Sequence, residues 1–186
     1  MKLNLRTLRL RAIWILVVPF LWVARPTPGL LALGGALALL GAALRGWAAG
    51  TIRKERELST GGPYAHTRNP LYLGSFLVGL GVTVAGGLWV FVVLFGVFFA
   101  LVYGGTIREE ARKLGELFGE RYADYAKSVP LFVPRVVPYR AADAPGAASA
   151  GGPGFTLERW RRNREYEALL GVAAGFAFLT VKMIWG

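Results

Sequence analysis

Apolar residues in this chain fall into long blocks separated by short polar, basic stretches, and the blocks are too long and too free of charge for a soluble core. The first runs from about Ala12 to Ala24; Arg9 and Arg11 ahead of it can snorkel, which admits Leu8 and Leu10 to the apolar layer. No small-residue cleavage site follows, so the block reads as a retained span and not as a removed signal peptide. Arg25-Pro26-Thr27-Pro28-Gly29 makes a helix-breaking turn. The second block spans Leu30 to about Leu44, extends through Gly50, and is dense in Gly and Ala, as close helix packing in lipid requires. Leu71 to Ile107 is one uncharged run of 37 residues. As a single helix at ~1.5 Å per residue it would measure roughly 55 Å, against a hydrocarbon core about 30 Å thick. Two spans folded back at Gly86-Gly87 are expected instead, with Trp89 at the far interface. Ala168 to Trp185 makes a fifth span.

Between these blocks the pattern changes. Ile107, Ala111, Leu114, Phe118, Tyr122 and Tyr125 recur at helical spacing and predict an amphipathic helix over 106–127, with Arg108-Glu109-Glu110 at its start. Pro130, Pro134 and Pro138 end it and force an extended segment. Ala141 to Gly154 reads as a flexible linker, and Arg159, Arg161, Arg162 and Arg164 as a basic flank. The expected architecture is all-α and polytopic, with about five transmembrane helices. It divides into an N-terminal hairpin (1–50), a core (51–140), a linker (141–154) and a basic flank with the last span (155–186). With the N-terminus inside, only Arg25 and Lys182 fall on the far side, which satisfies the positive-inside rule.

The net charge of +11 is therefore read as basic loops held on the cytoplasmic face, where the flanks meet anionic lipids. Nucleic-acid binding is set aside, because no basic run is interleaved with an aromatic stacking platform. Without cysteine there are no disulfides, thiolate metal sites or cysteine nucleophiles, and a single histidine, His66, excludes a multi-histidine metal centre. No metal site is expected.

Two constellations carry candidate chemistry. The loop Gly61-Gly62-Pro63-Tyr64-Ala65-His66-Thr67-Arg68-Asn69-Pro70-Leu71-Tyr72-Leu73-Gly74 is fixed by Gly and Pro, rich in donors, and leads straight into a span. Such a loop suits a polar ligand whose reaction partner is lipid-soluble; it would equally serve as an interfacial loop, with Arg68 on phosphates and the tyrosines in the aromatic belt. In the second constellation Glu109 points away from the apolar stripe and can pair with Arg112 or Lys113. Glu110 borders the stripe, where a carboxylate is costly unless partnered, and is expected to face a ligand. Carboxylates at a helix start also suit its dipole. Tyr122 and Tyr125 share the stripe, where simple packing would explain them. His66 alone reads as a hydrogen-bonding loop residue. Gly79-Leu80-Gly81 lies inside an apolar span and is no dinucleotide fingerprint.

Taken together, Gly62-Pro63-Tyr64…Arg68-Asn69-Pro70-Leu71-Tyr72-Leu73-Gly74 and Glu109-Glu110…Leu114…Phe118-Gly119…Tyr122…Tyr125…Val129-Pro130…Pro134 resemble the two signatures of the isoprenylcysteine carboxyl methyltransferase-like membrane methyltransferases, relatives of the phospholipid methyltransferases. The resemblance covers about residues 40–138. It implies S-adenosylmethionine bound at the cytoplasmic face, in a pocket formed by the 61–74 loop and the 106–138 segment. By the same resemblance Tyr64, His66, Arg68, Asn69, Pro70, Tyr72, Leu73 and Gly74 would line one side, and Glu109, Glu110, Tyr122 and Tyr125 the other. Arg68, Arg108 and Glu110 would position the acceptor or take its proton. Many members have histidine after the arginine; Asn69 here keeps hydrogen bonding but not proton transfer. The methyl acceptor is expected to be a lipid head group or a lipophilic carboxylate, amine or phenol from the bilayer, and the setting a bacterial inner membrane. A homo-oligomer is compatible with the sequence. The rival readings are an NADPH-dependent membrane reductase of the sterol-reductase type and a non-catalytic membrane scaffold.

Overall fold

The computed structural model describes residues 5–52, 57–140 and 154–185, and among these there is no strand. The helices are α1 (Leu5–Val23), α2 (Pro28–Thr51), α3 (Pro70–Ala85), α4 (Trp89–Phe118), α5 (Glu120–Ser128), α6 (Leu157–Arg162) and α7 (Glu165–Trp185). By length and composition α2, α4 and α7 can cross a membrane, while α3 and the Trp14–Val23 part of α1 are shorter apolar helices. The protein is thus a polytopic α-helical membrane protein, and each apolar block of the sequence is a helix. The side chains of Arg9 and Arg11, and all but the end of the 141–154 linker, lie outside the described residues.

Local chemistry sets the boundaries. Thr27 caps α2 by accepting from the Leu30 N–H, with Pro28 in the first turn, where a missing N–H costs nothing. Pro70 does the same for α3. The α3–α4 turn falls at Gly86-Gly87, where the Arg25 N–H donates to the Gly86 carbonyl at 2.8 Å. Lys182 at the end of α7 donates to the carbonyls of Leu21 and Trp22. Arg25 and Lys182 are therefore gathered at one end of the bundle.

The tightest packing is between α2 and α3, whose glycines meet backbone to backbone. A Cβ placed on Gly34 would stand 2.3 Å from the Gly81 carbonyl oxygen, and one on Gly41 2.6 Å from that of Gly74. Between α3 and α4 the contact is aromatic instead: Phe76 meets Phe95 and Phe99, and Tyr72 meets Tyr103.

One expectation is corrected. No helix starts at 106; α4 runs unbroken from Trp89 to Phe118. Hydropathy falls at Arg108, but the backbone contains no breaker there, and Gly104-Gly105 is carried within the helix. The break comes at Gly119, whose φ of +55° suits glycine and turns the chain into α5. Glu109 and Glu110 are consequently mid-helix, and the dipole has no part in placing them.

Candidate active site

The loop is held by the proline-rich segment 129–139, which lies along it as a strap. Backbone N–H groups of Arg68, Arg135 and Tyr139 donate to the carbonyls of Pro130, His66 and Ala65 at 2.9–3.0 Å. Side chains complete the seam: the Thr67 hydroxyl donates to Phe132 O at 2.9 Å and Asn69 Nδ2 to Leu131 O at 2.9 Å. His66 Nδ1 lies 2.9 Å from the Arg135 carbonyl, so that nitrogen carries the proton. Three prolines leave the strap without a ladder of its own, and the loop's donors and acceptors satisfy it.

The turn at Gly119 brings α5 back over the same loop. Tyr125 donates to the Tyr64 carbonyl at 2.6 Å, and Arg68 Nη1 to the Tyr122 hydroxyl at 3.0 Å, its guanidinium 5.7 Å from the centre of that ring. Tyr122, Tyr125 and Val129 form a buried cluster with Ala111, Leu114 and Phe118 packed against it. Burial pushes the hydroxyls of Tyr64 and Tyr125 well above the usual tyrosine range, so both stay protonated. Two buried polar atoms at this junction, the Tyr64 hydroxyl and Arg68 Nε, have no hydrogen-bond partner among the described residues.

A cavity of about 1120 Å³ opens between loop, α4 and α5. Of the residues singled out in the sequence, Tyr64, Arg68, Asn69, Pro70, Tyr72, Glu110, Tyr122 and Tyr125 line it. His66, Leu73, Gly74, Arg108 and Glu109 do not. His66 fastens the strap; Gly74 is buried against Gly41 and Arg45 of α2. Glu109 pairs with Lys113 at 2.9 Å on the outer surface. The wall also contains residues that sequence reasoning missed: Arg45, Ser75, Asn163 and Glu165. A lone arginine in the otherwise uncharged α2 was the signal available for the first of these. Among the described residues, no group of three or more His, Cys, Asp or Glu side chains is placed to hold a metal ion.

A profile of the phospholipid methyltransferase family matches residues 30–121, from the start of α2 to just past the Gly119 turn. The chain belongs to that family. Among curated proteins it is 38% identical over 121 residues to the cobalt-zinc-cadmium resistance protein CzcN of Cupriavidus metallidurans, covering 64% of this chain and 54% of the relative. It is 34% identical over 83 residues to the protein-S-isoprenylcysteine O-methyltransferase of Schizosaccharomyces pombe, covering 45% of this chain and 35% of that protein. The chain thus spans between about a third and a half of these relatives' lengths. No solved structure matches it. The loop residues and Glu110 fall within the matched region, whereas the strap, α6 and Glu165 lie beyond it.

Replacing Tyr125 with phenylalanine tests the junction. The buried Tyr64 carbonyl loses the Tyr125 hydroxyl as donor, which should cost about 1–3 kcal/mol. Thermal unfolding in detergent should show a lowered midpoint; an unchanged midpoint would mean that α5 is held on the loop by packing alone.

Proposed function

We propose that the chain is an S-adenosylmethionine-dependent methyltransferase that methylates a lipophilic acceptor at the membrane boundary. The observation that carries this reading is the pair of orphaned polar atoms, Arg68 Nε and Tyr64 Oη, on two residues that line a cavity built jointly by the two constellations. Buried polar atoms without partners are costly in a finished structure, and a polar ligand relieves the cost. The residues present fit the cofactor. Arg68 suits its carboxylate and Glu110 its amino group or ribose. The aromatic faces of Tyr72 and Tyr122 suit a cation. Four carboxylates in the wall (Glu57, Glu110, Glu116, Glu165) against three cations (Arg45, Arg68, Lys113) favour a positively charged guest.

The cofactor, when bound, supplies a methyl group on a sulfonium. An acceptor lone pair forms the new bond to that carbon while the carbon–sulfur pair stays on sulfur, which leaves the methylated acceptor and S-adenosylhomocysteine. Such a displacement asks the protein for alignment and exclusion of water more than for acid-base work. A carboxylate acceptor sheds no proton; an amine or phenol must lose one, and Glu110 faces the cavity to take it.

The orientation belongs to the same proposal. Arg108, Arg112, Lys113, Arg121, Lys127 and Arg135 flank the cavity end and Arg25 and Lys182 the other, which supports a cytoplasmic cavity; the proposed setting is a bacterial inner membrane. The exposed Arg161, Arg162 and Arg164 then meet anionic lipids.

The test is titration calorimetry of S-adenosylmethionine and S-adenosylhomocysteine on protein in lipid nanodiscs. Micromolar binding is expected, weakened about tenfold by Glu110→Gln and unchanged by Glu109→Gln, since Glu109 faces outward. Absence of binding by folded protein would overturn the reading.

A further inference from the structure

Arg45 lies six residues before the end of α2, about 9 Å along the axis from its last turn, in a helix with no other charge. A charged side chain at that depth in an apolar helix marks a functional group with a partner. The partner is Glu165: Nη2 donates to one carboxylate oxygen at 2.9 Å and Nε to the other at 3.1 Å, while Nη1 donates to Ser75 on α3. The Glu165 side chain is 8% exposed. All three residues line the cavity.

The segment just before Glu165 has docking contacts of its own. The Thr156 N–H and Arg159 Nε both donate to the Gly50 carbonyl, at 2.9 and 2.7 Å, and Asn163 Nδ2 donates to Ala49 O at 2.8 Å. These bonds satisfy carbonyls at the end of α2 and hold α6 against it. The fork on Arg45 is thus an additional contact, made by a carboxylate that reaches into the cavity from beyond the family-matched region. Two parallel N–H···O bonds from one guanidinium edge are how arginine grips any carboxylate. Of the other cations of the wall, Arg68 is the one proposed for the cofactor's carboxylate, and Lys113 pairs with Glu109.

Resting on the methyltransferase reading, we propose that Arg45, steadied by Ser75, is the seat for the anionic head group of a lipophilic carboxylate acceptor, and that Glu165 is the chain's own carboxylate standing in that seat. Glu165 keeps the arginine paired until a head group displaces it, and so sets the affinity for the acceptor. Arg45 is the residue that touches the acceptor; Glu165 acts through it.

The experiment compares wild type, Glu165→Gln and the double variant Arg45→Met/Glu165→Gln, which leaves no orphaned charge, in phosphatidylcholine nanodiscs. The probes are N-acetyl-S-farnesylcysteine, its carboxamide and farnesyl phosphate. S-adenosylhomocysteine binding is measured in parallel. Glu165→Gln should bind the carboxylate about tenfold tighter than wild type and the carboxamide equally, and the double variant should lose the gain. Equal tightening for farnesyl phosphate would extend the seat to phosphate head groups; tightening for the phosphate alone would overturn a carboxylate seat. No gain in Glu165→Gln, a gain that survives in the double variant, or failure of Glu165→Gln to fold would assign the pair a purely structural role and overturn the proposal. Retained S-adenosylhomocysteine binding in those cases leaves the methyltransferase reading standing, whereas its absence from all three proteins removes that reading itself.

Discussion

Alanine in place of Arg68 is expected to abolish measurable S-adenosylhomocysteine binding, a loss of at least about a hundredfold, in a protein that still folds. The side chain is where the two constellations touch. Its Nη1 meets the Tyr122 hydroxyl, the guanidinium faces the Tyr122 ring, and Nε is buried with no partner among the described residues. Charge-assisted hydrogen bonds contribute about 1.5–3 kcal/mol each, so losing one or two to a ligand carboxylate reaches a hundredfold. The loop itself should survive. The Arg68 contact to the strap is made by its backbone N–H, and Thr67 and Asn69 supply the side-chain bonds. Lysine should not rescue the affinity, because a point charge replaces the planar fork. Calorimetry together with a melting curve separates the outcomes: a folded Arg68→Ala that binds within fivefold of wild type would remove Arg68 from the cofactor site.

The helices were legible because hydropathy reports where backbone must satisfy itself, and the turn at Gly86-Gly87 followed from the length of a charge-free run. The start placed at residue 106 was misread for the same reason: Arg108 changes the polarity of the surface without breaking the backbone, and Gly119, which does break it, sits inside the amphipathic stripe. The stripe's membership was readable, since Ile107, Tyr122 and Tyr125 are buried and their neighbours half-buried. Glu109 and Glu110 separated as helical geometry demands, one outward to Lys113 and one to the cavity. What the spacing could not show were contacts across long stretches of chain. The strap meets the loop some 62 to 69 positions away through bonds of irregular backbone that leave no periodic trace. Arg45 and Glu165 lie 120 residues apart, so the lone charge of α2 was visible in the sequence but its partner was not.

Gly81→Ala should be strongly destabilising in the membrane region. The new Cβ would meet the Gly34 carbonyl oxygen at 2.4 Å and the Ala38 nitrogen at 2.7 Å. Both are backbone atoms of α2, so no side chain can swing away and the two helices must part. Overpacking of this kind costs about 1–3 kcal/mol. In a membrane, moreover, close backbone contact is itself the main attraction between helices, because lipid is as apolar as the residues it would replace. Gly105→Ala supplies the comparison: nothing lies within 4 Å of its Cβ position in α4, and alanine is the better helix former by roughly 0.5–1 kcal/mol, so that variant should be neutral or slightly stabilised. Unfolding in a detergent titration should rank Gly105→Ala at or above wild type and Gly81→Ala well below. Equal stability of the two would mean that the α2–α3 seam is looser than its geometry. The consequence extends to chemistry, because α2 carries Arg45 and α3 carries Ser75 and the start of the cofactor loop's exit helix at Pro70. A seam that opens by a few tenths of an ångström separates the two halves of the anion seat, so Gly81→Ala should weaken acceptor binding more than cofactor binding, whose loop is fastened by the strap instead.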